Sequence, residues 1–106
     1  MRLLLLLACA GTPADTAPAG CDTGPGVTWE SFGEGFFLTY CRSCHSVAAP
    51  DRGGAPVALD FDTNLQVAEH ADRVRVRVLE EGTMPVGGGV AEDDRALLAR
   101  YLECGL

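Results

Sequence analysis

The chain has 106 residues, which bounds it to one small domain, and its 47% hydrophobic content excludes disorder throughout its length. Its formal net charge is −7 and all eight basic residues are arginine, so it lacks the basic footprint that a nucleic acid partner requires. The acidic balance suits steering toward a basic partner, with simple solubility as the bland alternative.

The N-terminus has the pattern of an export signal: one arginine, the apolar run at residues 3–7, and a small residue. This run is too short to span a bilayer, which takes roughly 20 apolar residues. The sequence Leu-Leu-Ala-Cys ending at Cys9 resembles the lipobox of bacterial lipoproteins, in which the signal is removed and the cysteine carries a lipid. We therefore expect a signal peptide over residues 1–8 and lipidation of Cys9, with a plain secretory signal as the alternative.

Small and turn-forming residues follow, without large apolar side chains, and predict a flexible tether over residues 9–26. The folded domain is then expected over residues 27–106. A domain of this size builds only a modest core and usually needs a disulfide, a metal or a cofactor.

The first of three predicted helices covers residues 28–40, with Thr28 as its N-cap. Its apolar face is aromatic, with side chains at helical spacing: Phe32, Phe36, Phe37 and Tyr40. Gly33 and Gly35 each cost roughly 1 kcal/mol in a helix interior, which indicates that another element packs very close there.

The second helix follows residues 60–63, and either Asp62 or Thr63 can cap it. Its apolar stripe is formed by Val67, Ala71, Val74 and Val78. Residues 73–78 alternate arginine and valine, a pattern typical of a strand, but the preceding residues have no strand character and we predict a helix. The third helix covers residues 91–103, with three acidic residues in its first turn.

Cys41, Cys44 and His45 form a C-x-x-C-H motif, which is typical of c-type haem attachment. Two thiols add to the two vinyl groups of haem, and the adjacent histidine reaches the iron. The same cysteines can also form a redox disulfide or half of a zinc site. A zinc site needs two further ligands, which His70, Cys21 or Cys104 can supply.

Met84 lies between a Gly-Thr pair and a loop rich in proline and glycine, rather than on a helical stripe where a core methionine is expected. Methionine and histidine are the axial pair of the iron in cytochromes c. Met84 is therefore a candidate iron ligand, with a gap-filling core role as the alternative.

Over most of residues 28–105 the chain resembles the small class I cytochrome c family, in the C-R-S-C-H and T-M-P motifs and in the order of the flanking helices. Gly33 and Phe37 stand eight and four residues before Cys41, where the family has a glycine and an aromatic residue. Tyr101 in the leucine-rich last helix matches a further family position. The resemblance implies an all-α fold of three main helices around one covalent haem c, in which the first and last helices cross at the glycine.

The resemblance also implies roles for single residues. His45 is the expected proximal iron ligand and Met84 the distal one, with His70 as the alternative to Met84. In the family a proline carbonyl holds the other ring nitrogen of the histidine, a role open to Pro50 or Pro56. Arg52 and Arg73 are the candidates to meet the haem propionates, and Trp29 is expected to pack in the core.

In the fold that the resemblance implies, the first and last helices cross and the ends of the domain lie close together, and export implies an oxidising compartment. A disulfide between Cys21 and Cys104 is therefore expected, with two free thiols as the alternative.

The sequence thus predicts a periplasmic or cell-envelope electron-transfer protein that serves redox protein partners and is not an enzyme. One alternative is a haem enzyme or sensor subunit in which a weak Met84 bond opens to peroxide or a small gas. Another is a structural zinc module.

Overall fold

The computed structural model describes residues 20–106, and the regular structure in this range is entirely helical. The expected signal peptide, the lipidation site Cys9 and residues 10–19 of the expected tether lie outside the described residues. Within the described range, no helix combines the length and the apolar character needed to cross a membrane.

The first helix, α1, comprises a wide π-type turn, Trp29–Gly33, which continues into the α-helical segment Glu34–Tyr40. Thr28 caps it, as predicted, since its hydroxyl accepts a hydrogen bond from the Ser31 amide at 3.0 Å. The Ser31 hydroxyl in turn accepts one from the Thr28 amide at 2.9 Å. This reciprocal capping box satisfies two amides that would otherwise lack partners.

The predicted second helix is in fact two helices. Helix α2 is Asn64–Glu69, and helix α3 begins at Ala71–Val74 and continues into Arg75–Glu80. His70 separates them, because its backbone angles of −119° and 22° leave the helical region. Thr63, rather than Asp62, caps α2 through a second capping box with Gln66.

The alternating arginine–valine segment is helical, as predicted, and not a strand. Val67, Val74 and Val78 are all buried, while Arg73 and Arg77 are exposed and Arg75 is half-buried. The apolar period of the whole segment therefore overrides its local alternation.

The last helix, α4, comprises Glu92–Arg100 and Tyr101–Gly105, and its N-cap is Ala91. The guanidinium of Arg95 joins it to the end of α3 by donating to the carbonyls of Val78 at 2.7 Å and Leu79 at 3.0 Å.

Helices α1 and α4 cross at Gly33. A Cβ atom at Gly33 would lie 2.8 Å from Tyr101 Cζ and 2.9 Å from Trp29 Cε3, distances that leave no room for a methyl group. Trp29 is stacked on Phe37 with ring centroids 6.3 Å apart. The close approach expected at Gly33 is therefore present, and Trp29 belongs to the packing around it. The same expectation is wrong for Gly35, where a Cβ atom would meet nothing within 4 Å.

The segment at residues 20–25 lies against α4. Cys21 and Cys104 form the expected disulfide, with Cα atoms 5.4 Å apart. Arg100 also donates to the carbonyls of Pro25 at 2.9 Å and Thr23. The part of the expected tether that the structure describes is thus fastened to the last helix.

Candidate functional site

A cavity of about 410 Å³ opens between the end of α1, the loop that follows it, α3 and the loop after α3. This volume falls in the range of about 300–1,000 Å³ that is typical of ligand and cofactor sites. Its apolar walls include the buried side chains of Phe37, Phe61, Val74 and Val78. Four predicted site residues line the same cavity: Cys41, Cys44, His45 and Met84.

The C-x-x-C-H residues reach the cavity because α1 ends in a tight turn. The Cys41 amide still bonds to the Phe37 carbonyl at 2.9 Å, as a helical residue does. The amides of Cys44 and His45 then bond back to the Cys41 carbonyl, at 3.3 Å and 2.9 Å. This winding brings two thiols and one imidazole to the same wall.

The Cys41 thiol is in an environment that disfavours a thiolate. Burial raises the pKa of Cys41 to about 12, and its position after the last residue of α1 adds the negative end of a helix dipole. Cys41 and Cys44 are both free thiols. Redox C-x-x-C motifs instead depend on a cysteine with a lowered pKa, which is the opposite direction from the shift at Cys41.

The His45 ring is held by the backbone of the following loop. Its Nδ1 lies 2.7 Å from the carbonyl oxygen of Leu59. A carbonyl can only accept, so Nδ1 is the donor, and in the neutral ring this tautomer has its lone pair on Nε2, as a metal ligand requires. The expectation of a proline carbonyl from Pro50 or Pro56 is wrong in this structure, since the loop path brings Leu59 to the ring.

The turn before Leu59 has an uncommon backbone. The Leu59 amide bonds to the Pro56 carbonyl at 3.2 Å, and Ala58 lies between them with a φ of +77°. A positive φ at this turn position is typical of glycine or asparagine. The sequence signal for the turn was therefore weak, and its role in presenting the Leu59 carbonyl was not predicted.

Met84 lies on the loop that leaves α3. The amides of Thr83 and Met84 both bond to the Arg77 carbonyl, at 2.8 Å and 3.1 Å, which ties the loop to the end of the helix. The Met84 residue is 37% exposed although it lines the cavity. Its thioether is therefore at the cavity mouth.

The arginines around the cavity differ from the expectation. Arg52 lines it, but its guanidinium is engaged by the Asp60 carboxylate at 2.6 Å and by backbone carbonyls, so it is not free for an anionic ligand. Arg73 lines the cavity and is exposed. Arg77, one turn later on α3, also lines the cavity and is also exposed. Arg77 was not among the predicted residues, although helical spacing from Arg73 would have indicated it.

The ligands considered for zinc are not brought together. His70 lies edge-on to Phe61, with ring centroids 6.2 Å apart, and is not among the residues that line the cavity. Cys21 and Cys104 are consumed by their disulfide. Between residues 20 and 106, no group of three or more His, Cys, Asp or Glu side chains is placed to hold a metal ion.

The fold and site together define a small helical protein with an apolar cavity that carries two thiols, an imidazole and a thioether. Comparisons with protein-family models, with curated proteins and with solved structures give no match to this chain. Its function therefore has to be inferred from the residues of the cavity.

Proposed function

We propose that this protein is a mono-haem c-type cytochrome, with the small cytochrome c fold, that transfers electrons between redox protein partners. The observation that carries the proposal is the position of Cys41, Cys44 and His45 on one cavity wall with Met84 on the loop across the same cavity. Two thiols separated by two residues, with an adjacent histidine, are the attachment pattern of c-type haem, and histidine and methionine are the iron ligands in cytochromes c.

The donor set and the cavity fit a haem. Cys41 and Cys44 are free to form two thioether bonds, and Nε2 of His45 is available to the iron because Nδ1 is bonded to the Leu59 carbonyl. Met84 offers a soft sulfur as the second axial ligand. The apolar walls formed by Phe37 and Phe61 suit the macrocycle. The exposed Arg73 suits its propionates, and so does Arg77, whose pairing with Glu81 is looser at 3.7 Å than that of Arg52 with Asp60 at 2.6 Å.

When bound, a haem with His and Met ligands supplies a one-electron couple between Fe(II) and Fe(III). The chain's own residues then set the conditions for that couple. The aromatic walls exclude water, and His45 is held in one orientation by the Leu59 carbonyl. His45 and Met84 would both bind the iron, and a haem held in this way would offer no free iron position to a substrate, which supports a carrier rather than an enzyme.

We further propose that the protein works outside the cytoplasm, in the periplasm or cell envelope, attached to a membrane through lipid on Cys9. The disulfide between Cys21 and Cys104 supports an oxidising compartment, where such a bond persists. The export-like N-terminus supports the same location.

A second candidate function is a peroxide- or gas-responsive haem protein, because Met84 is 37% exposed and its loop is tied to the end of α3 mainly at one point, the Arg77 carbonyl, which accepts from the Thr83 and Met84 amides and from the Thr83 hydroxyl. A methionine that leaves the iron would open one axial position. Carbon monoxide binding to the reduced protein distinguishes the two functions, since a firmly ligated carrier does not bind it.

The test is a pyridine haemochrome assay followed by a redox titration, on full-length protein expressed with haem-maturation machinery. We expect one haem per chain, a reversible one-electron transition and no carbon monoxide binding. Protein without haem would contradict the proposal. Haem with rapid carbon monoxide binding at neutral pH would favour the second function.

A further inference from the structure

The guanidinium of Arg52 is the centre of a dense hydrogen-bond cluster beside the cavity. It donates to the carbonyls of Ser46 at 2.8 Å, Ala55 at 3.2 Å and Pro56 at 2.7 Å. It also donates to the Asp60 carboxylate at 2.6 Å. Asp60 is only 6% exposed, and Arg52 is its ion-pair partner.

These acceptors flank the bond that holds the His45 ring. Ser46 directly follows His45, and Asp60 directly follows Leu59, whose carbonyl receives the ring Nδ1–H at 2.7 Å. Arg52 therefore joins the chain on one side of this bond to the chain on the other. The two flanking residues, Ser46 and Asp60, are both buried, which indicates that the cluster is part of a fixed structure.

We propose that Arg52, through Asp60, is a positioning residue that sets the length and direction of the hydrogen bond between His45 and Leu59. The inference rests on the proposed function, because its effect is measured as a change in the oxidation equilibrium of the haem iron. A hydrogen bond from the second ring nitrogen raises the basicity of a histidine ligand, and a more basic ligand favours Fe(III). Loosening the cluster is therefore expected to favour Fe(II).

The chemistry of the cluster requires arginine in particular. A guanidinium presents five donors in a planar fork, and Arg52 uses its Nε and both terminal nitrogens on four acceptors. A lysine ammonium keeps the positive charge but is a compact group with three donors, so it cannot span acceptors on both sides. Arg52→Lys thus separates the effect of geometry from that of charge.

Arg100 supplies a matched control. It also donates to several backbone carbonyls, among them those of Pro25 and Gly20, but it lies on α4 away from the cavity. The Arg100→Lys variant makes the same chemical change in a similar cluster without touching the His45 loop.

The experiment compares the haem-loaded wild type with both lysine variants by two readouts. NMR measures solvent exchange of the His45 Nδ1 proton, and titration against a redox mediator measures the oxidation equilibrium. In Arg52→Lys we expect exchange to be about tenfold faster. We expect the equilibrium to shift about tenfold toward Fe(II), which is about 59 mV for a one-electron couple. In Arg100→Lys we expect both readouts to match the wild type.

Unchanged readouts in Arg52→Lys, or equal shifts in Arg100→Lys, would overturn the proposal. Should Arg52→Lys fail to yield folded protein, Asp60→Asn takes its place, because it keeps the shape of the side chain and removes the charge. We expect shifts of the same sign and smaller size there, and unchanged readouts would again contradict the proposal. Wild-type protein that takes up no haem would instead refute the proposed function, and this inference with it.

Discussion

At the scale of single residues, the chain holds its two expected iron ligands with unequal firmness. The His45 ring is bonded at Nδ1 to the Leu59 carbonyl, within a loop that Arg52 and Asp60 fasten. Met84 is 37% exposed, and its loop is tied to α3 at the Arg77 carbonyl, which accepts from the Thr83 and Met84 amides and from the Thr83 hydroxyl. Any ligand exchange in this protein is therefore expected on the methionine side.

Substitution of Met84 tests this assignment. Met84→Ala removes the thioether at the cavity mouth, so the long-wavelength absorption band of methionine-ligated ferric haem should disappear while covalent haem content is unchanged. His70→Ala is the control, because His70 does not line the cavity, and its spectrum should equal that of the wild type. Loss of the band in His70→Ala, with retention in Met84→Ala, would reverse the ligand assignment.

The buried phenol of Tyr101 is expected to make the stability of the fold depend on pH. Burial, with a smaller contribution from Glu30, raises the pKa of Tyr101 to about 12 from its ordinary value of 10.0. The folded state thus keeps a proton that the unfolded chain has already lost between these values. The stability from this group is fully present below about pH 10 and is lost as the pH rises toward about 12.

Urea unfolding of the haem-loaded protein at a series of alkaline pH values measures this effect. The free energy of unfolding of the wild type should fall more steeply above about pH 10 than that of Tyr101→Phe, which has no phenolic proton. Parallel curves for the two proteins would show that Tyr101 does not carry the dependence. The variant also loses the hydrogen bond from Tyr101 to Asn64, so the slopes are compared and not the absolute stabilities.

At the scale of the elements, helical periodicity and capping residues predicted most of the fold. Thr28 and the acidic first turn of α4 indicated the starts of two helices, and the buried valine stripe predicted a helix where the local alternation favoured a strand. The break at His70 was not predictable, because neither a proline nor a glycine marks it. The break is a local change of backbone angles at His70, where φ is −119° and ψ is 22°.

The site was predictable only in part. The spacing of Cys41, Cys44 and His45 is a local pattern, and a single methionine in a loop stands out in a sequence. The bond from His45 to the Leu59 carbonyl, and the engagement of Arg52, depend on the path of the intervening loop. That path includes a positive φ at Ala58, which has no sequence signal.

Because α1 and α4 cross at Gly33, we expect alanine substitutions at two glycines of α1 to change the stability of the fold in opposite directions. Gly33→Ala places a methyl group 2.8 Å from Tyr101 Cζ and should cost about 1–3 kcal/mol through overpacking. Gly35→Ala meets nothing within 4 Å and should stabilise the helix by up to about 1 kcal/mol. Denaturant unfolding of both variants tests this, and equal effects would mean that the crossing is not close.

At the scale of the whole molecule, two devices fasten the beginning of the described chain to its last helix. One is the disulfide between Cys21 and Cys104, and the other is the set of hydrogen bonds from Arg100 to residues 20–25. A small domain has a modest core, so such a closure contributes a large share of its stability.

Removal of the disulfide should therefore be costly. The cysteines are 83 positions apart, and in the chain-entropy model opening a loop of this size lowers the free energy of unfolding by about 4 kcal/mol. The double variant Cys21→Ser/Cys104→Ser should show this loss in urea unfolding of the haem-loaded protein, with an unchanged visible spectrum because neither residue lines the cavity. Unchanged stability would mean that the disulfide does not form in solution.

The central claim is that Cys41 and Cys44 hold one haem covalently, and mass spectrometry of the intact, denatured protein tests it most directly. We predict that protein matured in the presence of haem-attachment machinery is heavier than its polypeptide by the mass of one haem, and that acid extraction does not remove this mass. The variant Cys41→Ala/Cys44→Ala should lose the increment. A wild-type mass equal to that of the polypeptide, or a haem that acid extraction removes, would contradict the account.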